Sequence, residues 1–274
     1  MNSNLPVVLV TGASSGLGAR TARMLVDRGY RVAGAARRTE LIERLPAVLP
    51  VRLDLADADG IDRAVEQVEQ HLGPVGILVN NAGYGEFGAL EETSIELARQ
   101  QFDVNVFGLI RLTQRVIPSM RHSSTGRIVN VSSLAGEFSS PLGGWYHASK
   151  FALEALSDSL RAELRPFGIS VAVVQPGPVR TGWHEEAMQR LEATSGEGPY
   201  RQMARAVARY HRATQTTAIT SDVEPVAAAI VEAATTERPR IRYRVGRGAS
   251  TAVTLSRLPD RVFDAMMRRQ FGLA

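Results

Sequence analysis

The chain has no cysteine. That excludes disulfides, thiolate metal sites and cysteine nucleophiles, and it leaves any redox chemistry to a bound cofactor. A reducing, cytoplasmic setting is the expectation. Lysine is nearly absent too: Lys150 is the one lysine, so 31 of the 32 basic residues are arginine. A chain that uses guanidinium for every other positive charge has kept an amine at one position, and the two groups are not interchangeable. No stretch offers ~18 consecutive apolar residues, and residues 1–6 carry no basic run before an apolar segment, so neither a membrane span nor a signal peptide is expected. The formal charge is +4, but the arginines are scattered without interleaved aromatics, which argues against a nucleic-acid partner. His147, His184 and His211 stand at no metal-ligand spacing, so no metal is expected and they read as surface or lid residues.

What is present fits an α/β protein. The 274 residues, 44% apolar and 22% charged, suffice for one domain spanning 1–274. Apolar runs at 7–10, 31–35, 51–53, 77–79, 127–131, 170–174 and 241–245 read as strands buried on both faces. Amphipathic stretches at 19–28, 61–72, 94–120, 144–165 and 222–235 read as helices. Thr93 with Glu96 and Ser221 with Glu224 have capping-box spacing. The alternation predicts a doubly wound, Rossmann-type parallel sheet of about seven strands with helices on both faces. The rhythm breaks over 181–220, a polar stretch with helical fragments that leaves the carboxyl edge of the sheet and is expected to form a substrate lid. A C-terminal helix is expected over 255–271, with Leu258, Val262, Phe263 and Met266 as its apolar stripe among arginines. Its own protein, a second subunit and a membrane surface are all open as partners for that stripe.

The first strand runs into Gly12-Ala13-Ser14-Ser15-Gly16-Leu17-Gly18 and then a helix. Glycines there permit a tight turn and let the backbone approach a pyrophosphate at the helix N-terminus, where free N–H groups favour an anion. An enzyme choosing NAD places a carboxylate at the end of the second strand for the ribose hydroxyls. This chain has Arg37 and Arg38 there, with Arg37 nearer the strand end. Two guanidiniums suit a 2′-phosphate, so NADP(H) is the expected cofactor.

Tyr146 and Lys150 stand at i and i+4, on one face of a helix. A phenol of pKa ~10 is a poor acid or base near neutrality, and an adjacent ammonium is expected to lower it. Ser133 ends the fifth predicted strand, where its hydroxyl can bond a substrate oxygen as that oxygen's charge changes. Taken singly, these residues also suit a strand end and a core tyrosine.

Together, Thr11-Gly-x-x-x-Gly-x-Gly18, Asn80-Asn81-Ala82-Gly83, Asn105, Ser133 with Tyr146-x-x-x-Lys150, and Pro176-Gly177 resemble the short-chain dehydrogenase/reductase superfamily over residues 7–181. The resemblance implies a tyrosine acid/base at Tyr146, a lysine at Lys150 that also binds the nicotinamide ribose, a substrate-orienting Ser133, and Asn105 holding a water in a proton relay. It implies Asp54 and Leu55 near the adenine, Asn81, Ala82 and Gly83 along the cofactor cleft, and Pro176, Gly177, Val179 and Thr181 at the nicotinamide end. It implies a small-molecule carbonyl or alcohol substrate and a homodimer or homotetramer built through the helices bearing Asn105 and Tyr146. Residues 80–85, 151–154 and 240–243 further resemble the 17β-hydroxysteroid dehydrogenase-like and retinol dehydrogenase-like branch, which handles lipophilic substrates. An NAD(H)-linked alcohol dehydrogenase and a non-catalytic dinucleotide sensor are the competing readings.

Overall fold

A computed structural model describes residues 5–273, so part of the N-terminal stretch read for a signal peptide lies outside the described residues. The chain runs β1 (Val7–Thr11), α1 (Gly16–Asp27), β2 (Arg31–Ala36), α2 (Thr39–Ile42), β3 (Val48–Arg52), α3 (Ala58–Leu72) and β4 (Val75–Asn80). It continues through α4 (Ile95–Phe102), a π-helical turn (Asp103–Gly108), α5 (Leu109–His122), β5 (Gly126–Val131), α6 (Gly144–Leu164) and β6 (Ile169–Pro176). The last part comprises α7 (Trp183–Ser195), α8 (Arg201–Thr214), α9 (Val223–Thr235), β7 (Arg242–Val245), α10 (Ala249–Leu255) and α11 (Asp260–Phe271).

The seven strands form one parallel sheet in the order β3-β2-β1-β4-β5-β6-β7. Each residue of β1 is buried, as an apolar strand covered on both faces must be. On one face Ala22 and Leu25 of α1 and Val226 and Ile230 of α9 pack against alternate strand residues. On the other, Ile61 and Val65 of α3, Leu112 and Val116 of α5 and Leu164 of α6 do the same. Pro50 lies within β3, an edge strand, where a missing N–H is tolerated. Strand order reverses between β1 and β4, which opens a crevice at their carboxyl ends.

Several local expectations are corrected. The helix expected over 94–120 runs without a break from Ile95 to His122, but six of its residues wind as a π turn. Ser94, not Thr93, caps α4 by accepting from the Leu97 N–H, while Thr93 donates to the Ala89 carbonyl 2.8 Å away. Asp222, not Ser221, stands at the α9 cap position, and Glu224 pairs with Arg20 of α1 at 2.6 Å instead of reaching back to the cap. The C-terminal helix starts at Asp260, because Pro259 ends any winding that comes from α10. Its inner face is Phe263, Met267 and Phe271, and Leu258, Val262 and Met266 are exposed. Among the described residues no helix is long and apolar enough to cross a membrane.

Candidate active site

The β1–α1 loop sits at the point of strand reversal. Gly12 and Gly16 have φ of +69° and +52°, which side chains rarely adopt. Gly18 lies beneath the loop and not on the cleft wall: a Cβ there would stand 2.3 Å from the Gly12 carbonyl oxygen. We expect Gly18→Ala to cost about 1–3 kcal/mol by overpacking and to weaken dinucleotide binding with it. Melting and cofactor titration of the variant test this. Thr11 Oγ1 accepts from the N–H groups of Asn81 and Ala82, each at 3.0 Å, and Asn81 Nδ2 donates to the Thr11 carbonyl at 2.9 Å. The ends of β1 and β4 are thus laced together under the crevice.

A cleft of about 1390 Å³ runs from this loop across the carboxyl edge of the sheet. Ser14, Ser15, Gly16 and Leu17 line its middle, with Gly12 at the turn. Arg37, Arg38, Asp54 and Leu55 line one end, and Asn81, Ala82, Gly83, Pro176, Gly177, Val179 and Thr181 lead toward the other. Thr181 faces the start of α1, its Cγ2 only 3.4 Å from where a Cβ on Gly16 would lie. Both arginines are exposed, and among the described residues neither pairs with a carboxylate. Such a cradle, with positive φ at its turn and no room for a Cβ at Gly18, fits a pyrophosphate, and the unpaired guanidiniums fit a further phosphate.

At the far end stand Ser133, Tyr146 and Lys150. Ser133 follows β5, and its Oγ accepts from the Ala135 N–H at 3.1 Å. Tyr146 lies in the first turn of α6 and Lys150 one turn on, both buried. The Tyr146 hydroxyl is hydrogen-bonded with Ser133. Lys150 Nζ donates to the Val131 carbonyl at 3.0 Å and lies 5.9 Å from the Tyr146 ring centroid. Burial pushes the Tyr146 phenol up to about 12, against the Ser133 hydrogen bond. Burial pulls the Lys150 ammonium down to about 8, against the pull of Glu154. The lowering expected from the lysine is not seen: burial sets the direction for Tyr146, opposed by the Ser133 hydrogen bond.

Asn105 is placed under the cleft floor by the π turn. Its Nδ2 donates to the Tyr84 carbonyl at 2.8 Å and to Ser149 Oγ at 3.2 Å, and its Oδ1 accepts from the Tyr84 N–H at 3.1 Å. It braces the Asn81–Gly83 loop against α6, with its Oδ1 3.1 Å from where a Cβ on Gly83 would sit.

The stretch expected to be a lid forms α7 and α8, which pack beside the site in an apolar cluster that includes Tyr146, Phe87, Met188, Leu191 and Phe271. Trp183 packs at a tilt with its ring centroid 5.1 Å from that of Tyr146, and Phe87 packs 5.6 Å from it. Phe87 escaped the sequence reading, since only tertiary folding brings the segment after β4 to α6. Of the three histidines, His147 alone differs from expectation. His147 is buried on α6, bonding Ser140 Oγ at 2.9 Å through Nε2 and the Phe138 carbonyl at 2.6 Å through Nδ1. His184 and His211 line the cleft, and burial holds both rings near a pKa of about 4.

Comparison with known proteins agrees with this geometry. The family described as short chain dehydrogenase matches residues 6–192. A probable short-chain type dehydrogenase/reductase of Helicobacter pylori, VdlC, is 32% identical over 96% of both chains. An NADPH-dependent 3-dehydrocapnine reductase of Ornithobacterium rhinotracheale is 33% identical over 93% of this chain and 94% of its own. A short chain dehydrogenase of Burkholderia cenocepacia, solved in complex with NADP, superposes with a TM-score of 0.75 at 25% identity, covering 97% of this chain and 99% of that one. The chain belongs to the short-chain dehydrogenase family. With that family it is an oxidoreductase that works on CH–OH or C=O groups of small molecules with a nicotinamide dinucleotide.

Proposed function

We propose that the protein is an NADP(H)-dependent reductase of a lipophilic ketone or aldehyde, or the dehydrogenase of the corresponding alcohol, with Tyr146 as acid/base. The observation that carries the reading is a buried phenol, hydrogen-bonded to Ser133, at the junction of a dinucleotide-sized cleft and an aromatic lid. The nicotinamide, when bound, supplies or accepts the hydride. Gly12, Ser14, Ser15, Gly16 and Leu17 hold the pyrophosphate, with Gly18 giving the turn its room. Asp54 and Leu55 border the adenine. Ser133 donates a hydrogen bond to the substrate oxygen, and Tyr146 gives that oxygen its proton. Lys150, fixed on the Val131 carbonyl, neutralises the phenolate left behind. Asn105 holds Gly83 and Ser149 in place beside them. Phe87, Trp183 and Phe271 exclude water, which strengthens each of these charges.

The choice of NADP(H) rests on Arg37 and Arg38, the two unpaired guanidiniums at the end of β2, and accords with the NADP complex and the NADPH-dependent reductase among the relatives. We expect Arg37→Asp to raise KM for NADPH by about tenfold or more, since a charge-assisted hydrogen bond is worth about 1.5–3 kcal/mol, and to shift preference toward NADH. Unchanged selectivity would place the phosphate elsewhere. The aromatic lid supports a lipophilic substrate of the kind handled by the hydroxysteroid and retinol dehydrogenase-like branch. We take residues 1–274 as one cytoplasmic domain, with 181–220 as lid. Exposed Phe107 and Phe151, in the π turn and on α6, support a homodimer or homotetramer through those helices. The test of the activity is NADPH oxidation, with NADH in parallel, against ketones and aldehydes of increasing size. Consumption that depends on Tyr146 supports the reading, and binding of NADPH with no turnover of any carbonyl overturns it.

A further inference from the structure

Five arginines line the cleft, and four of them are accounted for. Arg37 and Arg38 stand with Asp54 and Leu55 at the dinucleotide end. Arg180 donates to the Thr220 carbonyl at 3.0 Å and pairs with Asp222 at 3.5 Å, and Arg190 pairs with the buried Glu86 at 3.1 Å. Arg247 is exposed, and among the described residues it makes no hydrogen bond and no ion pair. Glu186 of α7 lines the cleft as well and is not paired with it. The backbone puts Arg247 at the reaction end. It lies between Gly246 and Gly248, whose φ values of +127° and +73° suit glycine, in the turn from β7 to α10. That turn rests on Gly177, whose N–H donates to the Val245 carbonyl at 2.8 Å and whose Cα is 3.7 Å from where a Cβ on Gly246 would lie. Leu134, the residue after Ser133, has its Cδ1 3.5 Å from where a Cβ on Gly177 would stand, and it shares a buried apolar cluster with Ala249 at the start of α10. Thr251, four residues beyond Arg247, also lines the cleft, and its hydroxyl has no partner among the described residues. Ala252 and Leu255 continue that wall along α10 as an apolar strip.

We infer that Arg247 and Thr251 form a subsite for an oxyanion on the substrate, a carboxylate or a phosphate, remote from the carbonyl reduced at Tyr146. A guanidinium offers N–H donors in a planar fork that matches two oxygens of such a group, and the hydroxyl beside it adds a third donor. Arg247 has no ion pair to give up, so an incoming anion displaces only water from it. The body of the substrate lies along Ala252 and Leu255. The substrate class is thus an anionic lipophile, with a ketone or aldehyde at one end, an oxyanion at the other and an apolar chain between them. This inference rests on the proposed carbonyl chemistry for the identity of the first end.

The test uses methyl ketones whose alkyl chains, of increasing length, end in a carboxylate or a phosphate, each beside its neutral methyl ester. Binding to the protein with NADP is read by calorimetry, which needs no turnover. We expect the charged group to tighten binding by about tenfold, with an optimum at one chain length, and the series with the larger gain names the oxyanion. In Arg247→Gln each acid and its ester should bind alike, and in Arg247→Glu the acid should bind more weakly than the ester, while melting and NADP affinity show that the fold and cradle persist. Arg247→Lys, which keeps the charge without the fork, should retain part of the preference. Equal binding of acid and ester at every length in both series, or a preference that survives Arg247→Gln, overturns the subsite. A loss of NADP affinity in Arg247→Gln gives the arginine to the cofactor and overturns it too. A length-dependent preference without any hydride transfer would uphold the subsite and overturn the carbonyl chemistry instead.

Discussion

Tyr146→Phe should bind NADPH as the parent does and lose turnover by about 10³-fold, within the 10²–10⁴ that a positioned acid/base contributes. The substitution removes one oxygen and leaves the ring, whose packing against Phe87 and Trp183 is what the fold needs from this residue. The lost oxygen is bonded to Ser133, so the variant frees one hydroxyl and disturbs nothing else. Burial holds that phenol at about 12, so it stays protonated near neutral pH. The check is a single-turnover rate beside a cofactor titration. A variant with most of its rate intact would place the proton donor elsewhere.

Lys150→Arg should be nearly as damaging, by about 10²-fold, although it keeps the charge. The ammonium is buried on the Val131 carbonyl at 3.0 Å, near Gly83, Asn105 and Glu154. A planar guanidinium is larger and carries its donors in a fixed fork, so it cannot occupy that point without moving the floor of the cleft. The same burial has a consequence for stability. Lys150 releases its proton near pH 8 in the folded protein and near 10.5 when unfolded. Between those values the unfolded chain holds the extra proton, so the protein gains stability from this residue as pH rises from about 8 toward 10. Urea unfolding of the parent and of Lys150→Met over that range should show the advantage of the methionine variant shrinking with pH. A constant difference would mean that Lys150 titrates normally.

Much of this site is readable in the amino-acid order, and the reason is local. Strands such as β1 and β6 are covered on both faces and must be continuous apolar runs, and the residues at their carboxyl ends are the ones that meet a ligand. Tyr146 and Lys150 are legible because one helical turn fixes their relation. What the order does not carry is whatever depends on distant segments meeting. Phe87 and His211 are 124 residues apart in the numbering yet pack ring to ring. His147 looked like a surface residue because nothing in its neighbours announces that the Phe138 carbonyl folds back onto it. The direction of the tyrosine's shift was missed for a similar reason. Proximity of a cation is written in the spacing, but desolvation depends on α7 and α8 packing against Tyr146.

The π turn from Asp103 to Gly108 also has a meaning for the history of the chain. A π turn is an α-helix with one residue too many, and one residue is a rotation of about 100°. Remove it, and α4 and α5 would wind as one regular rod, with either Asn105 turned from the floor of the cleft or Leu112 and Val116 turned from the sheet. The turn lets both faces be right at once. Phe107, largely exposed at that turn, is the natural surplus residue. A helix that only packs and a helix that also braces the cleft are thus separated by a single inserted codon, a step small enough for one replication error to supply.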